Sequence, residues 1–250
     1  MTHWYERSFG LDYLDLYPNR NDVEAEENVR AIVRLIAPRR DLPTLDLGCG
    51  AGRYLCALHH AGFRELSGLD LSEELLAVAR KRLAGVEGVA LIRADMRDIP
   101  YRDRFGTILS LFTSFGYFQE DCENAAVLEA VARALLPEGV FILDFLNKDH
   151  LLANLVTEEE RQLGTARVRI TRRLSQSRRR VEKRTEVWRQ QGERQVYEES
   201  VRVYAADELE AMLSAAGLST MRRYGSFAGT PFRADSPRLI LVSSRGDRHD

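Results

Sequence analysis

The sequence predicts an α/β protein: a doubly wound, mostly parallel sheet with an antiparallel β insertion late in the chain. Three observations carry this. Residues 45–53 read LDLGCGAGR, an apolar strand that runs into alternate glycines and a helix start. After it, short apolar runs alternate with amphipathic stretches to about residue 147. From about Glu158 the texture changes, and residues 165–204 alternate apolar with charged positions, as strands with one wet face do.

Composition narrows the classes. The chain has 250 residues and a net charge of −2, which suits one α/β domain with an insertion or a small cap. Nothing in that charge demands nucleic acid or a membrane, and no apolar run is long enough to span a bilayer. The opening MTHWYERSFG lacks the charged-then-apolar pattern of a signal peptide, so a cytoplasmic protein is expected. Cys49, Cys56 and Cys122 lack metal-type spacing, so no metal site is expected, and reduced thiols are the default.

The acid ahead of the glycines selects the ligand. A strand–glycine–helix turn offers free N–H groups to an anion or a hydroxyl. A dinucleotide would set its pyrophosphate there, and Asp46 would repel it. Asp46 instead fits a ligand that brings positive charge, such as S-adenosylmethionine with its ammonium and sulfonium. The third glycine, Gly52, also comes one residue early for G-x-G-x-x-G. An acid followed by G-x-G-x-G resembles the first motif of the class I S-adenosylmethionine-dependent methyltransferases. The resemblance runs from Thr44 to Ser243. It implies a Rossmann-like seven-stranded sheet, methyl transfer, and S-adenosylhomocysteine as product.

The elements follow in order. Residues 1–21 hold Trp4, Tyr5, Phe9, Tyr13 and Tyr17 at irregular spacing. Two readings stand: a segment on the domain's edge, or a lid of the kind the family builds from an N-terminal tyrosine-bearing segment, with Tyr5, Tyr17 and Arg20 as its residues. Val23–Ala37 reads as a helix capped by Asp22. Arg53–Ala61 continues the glycine turn as a helix stopped by Gly62. Glu65–Leu71 is the second strand. It ends in Asp70, about twenty residues past the turn, where an acid accepts ribose hydroxyls. Ser72 caps the next helix. Gly88–Ala94 is the third strand. The resemblance puts the adenine amino group on the following Asp95, and Met96 offers a polarisable face to the ring.

Phe105–Phe112 is the fourth strand, with Gly106 where the family often has an acid. Residues 111–117 should emerge at the ligand edge of the sheet. Neither N-P-P-Y, D-P-P-Y nor a P-C dipeptide occurs there, which disfavours the two base-methylating mechanisms of the family. Asp121–Leu136 is an amphipathic helix. The following LLPEG resembles the family's L-x-P-G-G turn, with Glu138 in place of a glycine, and leads into the fifth strand, VFILDF. Turn signals near 175–177 and 191–192 predict a three-stranded meander, placed where family members build a substrate cap. Its arginines, Arg178–Arg180 among them, sit among acids and read as cross-strand ion pairs on a solvated face. Asp207–Ala216, Met221–Tyr224 and Leu239–Ser243 close the sheet, and Arg245–Asp250 reads as a disordered tail.

The expected organisation is a methyltransferase domain over 1–157 and 205–250, with 158–204 as the cap. The expected cofactor set is Asp46, Gly48, Cys49, Gly50, Arg53, Asp70, Leu71, Asp95, Met96, Leu111 and Phe112. Tyr5, Tyr117, Asn147, Phe232 and Arg233 are the acceptor-side candidates. Asp144 and Tyr17 are the candidates for a catalytic role. The expected reaction is in-line methyl transfer to N or O of a small molecule, most like the sugar-amine N-methylating members. Two other classes stand beside it: an RNA- or protein-modifying enzyme docking through the arginine-rich insertion, and a non-catalytic cofactor-binding module. A homodimer is among the options for assembly.

Overall fold

The computed structural model describes residues 3–17, 21–189 and 192–246. Two short helices, α1 (Trp4–Ser8) and α2 (Leu11–Leu16), open the chain. The alternation then runs α3 (Asp22–Ile36), β1 (Thr44–Leu47), α4 (Arg53–His60), β2 (Leu66–Asp70), α5 (Glu73–Arg82), β3 (Val89–Arg93) and β4 (Phe105–Ser110). It continues with α6 (Asp121–Ala134), β5 (Leu135–Leu146) and α7 (Lys148–Ala153). A second sheet follows, β6 (Glu158–Leu163), β7 (Ala166–Leu174), β8 (Arg180–Trp188) and β9 (Arg194–Arg202). The chain returns to the first sheet through α8 (Ala206–Ala215), β10 (Leu218–Tyr224) and β11 (Arg238–Arg245).

The main sheet has seven strands in the order β10-β11-β5-β4-β1-β2-β3, with β11 antiparallel to both of its neighbours. Strand order reverses between β1 and β4, so their carboxyl ends open a crevice there. Helices cover both faces. Leu45 and Leu47 of β1 point to one side, with Val127, Val131 and Leu209 of α6 and α8. Val29, Leu55, Leu58 and Leu76 of α3, α4 and α5 cover the other. Each such side chain, taken wholly out of water, contributes roughly 1.5–3 kcal/mol.

Local chemistry sets the ends. Ser72 caps α5, its side chain accepting from the Leu75 N–H, as expected. The cap of α3 is Asn21 rather than Asp22: its side chain accepts from the Glu24 N–H at 3.0 Å, and Asp22 is already helical. Glu138 has φ +61°, the left-handed geometry a glycine would adopt at this turn, and β5 runs through it with a register shift.

The second sheet has four strands, not three. β6 reads EEERQL and shows almost no apolar alternation, yet it pairs with β7 over its whole length. Arg167, Arg169 and Arg172 of β7 hold Glu160, Glu158 and Glu159, so charge carries this edge strand. The expected disorder of the tail is also corrected at its start. Arg245 ends β11 buried, with its guanidinium on Asp103 and the Leu135 carbonyl. Arg20, the turn residue Gln191 and residues 247–250 lie outside the described residues.

Gly88 is a turn residue, not the start of β3. Its φ is +77°, and a Cβ there would lie 2.0 Å from the Arg64 carbonyl oxygen, which is backbone and cannot yield. Gly88→Ala should therefore cost more than about 2 kcal/mol, read as a fall in the denaturant midpoint. An unchanged midpoint would contradict this packing.

Candidate functional site

At the carboxyl end of β1 the chain turns back over β2. The Gly48 and Cys49 N–H groups both donate to the Leu69 carbonyl, at 2.8 and 3.0 Å. Gly48 has φ +78°, and a Cβ on it would press the Ser114 Cβ at 2.9 Å, so only glycine lets the turn and the 114–118 loop approach. The Gly50 N–H donates to Asp70 Oδ2 at 2.7 Å, and the Ser72 N–H to Asp70 Oδ1 at 2.9 Å. Burial raises the Asp70 pKa, and these N–H groups offset part of the rise.

Asp46 lies one step before the turn, 2 % exposed, on the opposite face of β1 from Leu45 and Leu47. Its Oδ2 has no hydrogen-bond partner among the described residues. Burial pushes its pKa up to about 7; the nearby Asp70 adds to this and Arg53 opposes it. A buried carboxylate oxygen without a donor is costly unless something cationic or protic answers it. That orphan, beneath a turn that excludes side chains, is what a cationic amino-acid ligand would satisfy.

A cleft of about 750 Å³ opens above this turn. Gly48, Gly50, Asp70 and Leu71 form its floor, and Ala94, Asp95 and Met96 form one wall. Tyr5 and Tyr13 of the N-terminal helices and Phe9 between them roof it, against Tyr117 and Phe118. The roof is an aromatic seam: Trp4 meets Tyr117 edge-on at 5.1 Å, Phe9 stacks on Tyr117 at 5.4 Å, and Tyr5 meets Phe118 at 5.4 Å. Asp95 is gripped by Arg97 through two side-chain bonds, at 3.1 and 2.6 Å. Burial pushes Asp95 up, but the Arg97 hydrogen bonds prevail and hold its carboxyl below the usual range. The Arg97 guanidinium also lies 4.2 Å from the Phe118 ring centre, tying wall to roof.

The structure therefore gathers Gly48, Gly50, Asp70, Leu71, Asp95, Met96, Tyr5 and Tyr117 around one cleft. Other expected residues sit elsewhere. Cys49 is buried under the turn with a raised thiol pKa, caused first by burial. Arg53 turns away to Glu24 at 2.8 Å and lies over the Phe112 ring, so neither lines the cleft. Leu111 is core. Asp144 accepts from Arg238 Nε at 2.7 Å and from the Phe112 N–H at 2.9 Å. It clamps the turn where Phe112 and Thr113 both have positive φ, and does not reach the cleft. The Tyr17 hydroxyl donates to Glu199 and accepts from Lys183 on the second sheet, again away from the cleft. Asn147, 3 % exposed, donates to the carbonyls of Arg233, Ala234 and Ser236 and pins that loop. Phe232 packs against the core and Arg233 is exposed; neither lines the cleft.

Sequence reading missed Phe9, Tyr13 and Phe118 as cleft residues, and Arg97 as the partner of Asp95. The aromatic density of the first twenty residues was the available signal for Phe9 and Tyr13. Nothing local marked Phe118 or Arg97.

Comparison with known proteins agrees with the geometry. A family model described as a methyltransferase domain matches residues 44–139. A Streptomyces fradiae protein named dTDP-3-amino-3,6-dideoxy-alpha-D-glucopyranose N,N-dimethyltransferase is 34% identical over 117 residues, 47% of this chain and 44% of that one. A Streptomyces venezuelae N,N-dimethyltransferase of the corresponding 3,4,6-trideoxy sugar is 32% identical over 142 residues, 54% and 58% of the two chains. The chain spans about half the length of these curated relatives. Among solved structures, the CcbJ methyltransferase of Streptomyces caelestis superposes with a TM-score of 0.80 at 18% identity, covering 98% of this chain and 100% of that one. An amino pentose methyltransferase of Micromonospora echinaspora, solved with S-adenosylmethionine bound, gives 0.67 at 25% identity, covering 93% and 96%. The acid–glycine turn, the strand order and the matched segment converge: residues 44–139 match a methyltransferase domain, and the chain shares its fold with solved methyltransferases, one of them S-adenosylmethionine-bound.

Proposed function

We propose that this chain transfers a methyl group from S-adenosylmethionine to an amine nitrogen of a small molecule. The observation that carries the reading is the glycine turn itself, with the orphaned Asp46 oxygen beneath it and Asp70 on the cleft floor. Asp46 would answer the ligand's positive charge, Asp70 its ribose hydroxyls, and Asp95 with Met96 its adenine. When bound, S-adenosylmethionine supplies a methyl group already activated by the sulfonium charge. What the protein adds is alignment and exclusion of water.

An amine acceptor fits the cleft better than a hydroxyl. Both oxygens of Asp70 already accept N–H groups, and Arg97 holds Asp95 ionised. Asp144 and Tyr17 lie outside the cleft. The acids of the cleft floor and wall, Asp70 and Asp95, are thus both engaged, and a neutral amine needs no dedicated base to attack. The relatives named for amino-sugar nucleotides support the same choice.

In this reading α1 and α2 are a lid, residues 158–204 form the cap, and the acceptor enters beside Tyr5 and Tyr117. An RNA-docking role for the cap is disfavoured because many of its exposed arginines are paired: Arg173 with Glu182, Arg184 with Glu198, Arg169 with Glu158. No helix of the described residues is long and apolar enough to cross a membrane. A reducing, cytoplasmic setting is part of the proposal, supported by the free thiols of Cys49, Cys56 and Cys122.

The test is calorimetric binding of S-adenosylmethionine, followed by mass spectrometry of a panel of amino-sugar nucleotides and their hydroxyl counterparts. Methylation of the amines alone is expected. Methylation confined to hydroxyls, or no cofactor binding, would sink the proposal.

Two substitutions probe the floor. Asp70→Ala should weaken cofactor binding by about 1–3 kcal/mol, the penalty for stranding buried hydroxyls. For Asp46 the sign follows from a folded-state pKa near 7 against an unfolded value near 4. Between pH 4 and about 7 the unfolded carboxyl loses its proton while the native one keeps it, so stability falls across that range and levels off above it. Ligand-free Asp46→Asn should match wild type at pH 4 and exceed it above pH 7, by up to about 4 kcal/mol. The same variant should lose cofactor affinity. Equal pH–stability curves for the two proteins would refute the assignment.

A further inference from the structure

Arg180 opens β8 within the run Arg178–Arg180, which reads in sequence as solvated charge. The structure buries it to 7 % exposure and turns its guanidinium out of the second sheet into the main domain. There Nη1 donates to the Phe118 carbonyl at 2.9 Å, and Nη2 to the Tyr117 carbonyl at 3.2 Å. Nε donates to Ser200 Oγ at 2.8 Å, and Nη2 also to the Ser200 carbonyl at 2.7 Å. No carboxylate forms an ion pair with it among the described residues. A buried cation held by neutral oxygens alone is costly unless its fixed, planar fork of donors is used, and lysine cannot reproduce that fork.

What this fork holds is the roof wall of the cleft. Tyr117 and Phe118 carry the ring seam to the N-terminal helices, and Phe118 also supports Arg97, which orients Asp95. Asn124 of α6 grips the other side of the same residue, accepting from the Phe118 N–H and donating to its carbonyl. β9 adds a backbone bond, the Arg202 N–H to the Gly116 carbonyl at 2.8 Å. Removing the guanidinium would leave the Tyr117 carbonyl without this donor and Phe118 held from one side.

We propose that Arg180 is a positioning residue: reaching across from the cap, it fixes the Tyr117–Phe118 wall and so sets the shape of the cofactor cleft. The functional half rests on the methyl-transfer reading; the structural half does not.

The experiment compares Arg180→Gln and Arg180→Lys with Arg173→Gln, an exposed arginine of the same insertion, in the full chain. Hydrogen exchange is read first without ligand. In Arg180→Gln the Phe118 and Arg202 amides should exchange about tenfold faster while β1 and β4 amides keep wild-type rates. Arg180→Lys, which keeps a charged donor, should fall between, and Arg173→Gln should match wild type. Calorimetry with S-adenosylmethionine should then give affinities lowered in the same order, about tenfold for Arg180→Gln. Should that variant fail to fold, Arg180→Lys carries both readouts. Exchange that is unchanged, or accelerated evenly across the chain, overturns the positioning role. Local acceleration with unaltered cofactor affinity overturns its link to the cleft. If wild type itself binds no cofactor, the methyl-transfer reading fails while the exchange pattern still decides on Arg180.

Discussion

The structure turns on one carboxylate. Asp70 ends β2 and accepts two backbone N–H groups, from Gly50 in the glycine turn and from Ser72 at the cap of α5. The glycine turn, twenty residues earlier, is thereby fixed to the junction of β2 and α5. Charge-assisted bonds of this kind are shorter and about twice as strong as neutral ones, and here they orient the elements that bound the cleft floor. The same bonds offset part of the rise that burial imposes on this carboxyl. Asp46, by contrast, has little but burial around it. Asp70 is held by the fold and lines the cleft, whereas Asp46 is buried beneath the turn with an unpartnered oxygen and does not itself line it.

Much of this was legible in the sequence because it is local. The glycine spacing, the acid before it, the acid after β2 and the serine cap each depend on residues within one supersecondary unit, where spacing dictates geometry. Asp144 shows where that stops. Its position at the end of β5 is that of a substrate-facing acid, yet Arg238, nearly a hundred residues on, takes its carboxylate. Asn147 is similar: a polar residue at the ligand edge, drawn off by three carbonyls of the 233–236 loop. Long-range partners of polar side chains leave no periodic trace.

The fourth strand of the cap was illegible for a different reason. Pattern reading follows apolar residues, and β6 pairs through its backbone and through glutamate–arginine contacts, so the usual signal is absent. Arg180 combines both difficulties. Within Arg178–Arg180 nothing distinguishes the residue that is buried from Arg179, which stays exposed and pairs with Asp121. Only the approach of the 116–118 loop makes the difference, and that loop belongs to another sheet.

The N-terminal helices are bound unequally to their two neighbours, and this bears on how a ligand would enter. Toward the cap the bonds are directional: Ser8 Oγ donates to the Glu198 carbonyl at 2.8 Å, Tyr197 donates to Asp12, and Arg161 donates to the Leu16 carbonyl. Leu16 itself is buried among Val168, Ile170 and Val187 of the cap. Toward the main domain the contacts include rings on rings at the Tyr117–Phe118 seam and an exposed bond from the Leu11 N–H to Glu74. Ring pairs contribute about 0.5–1.5 kcal/mol each beyond their burial and tolerate sliding, whereas a stretched hydrogen bond is lost. On the reading of α1 and α2 as a lid, the seam is where the roof parts, and the helices travel with the cap. Arg180 then lies where cap and seam meet, so its proposed positioning role would bear on both.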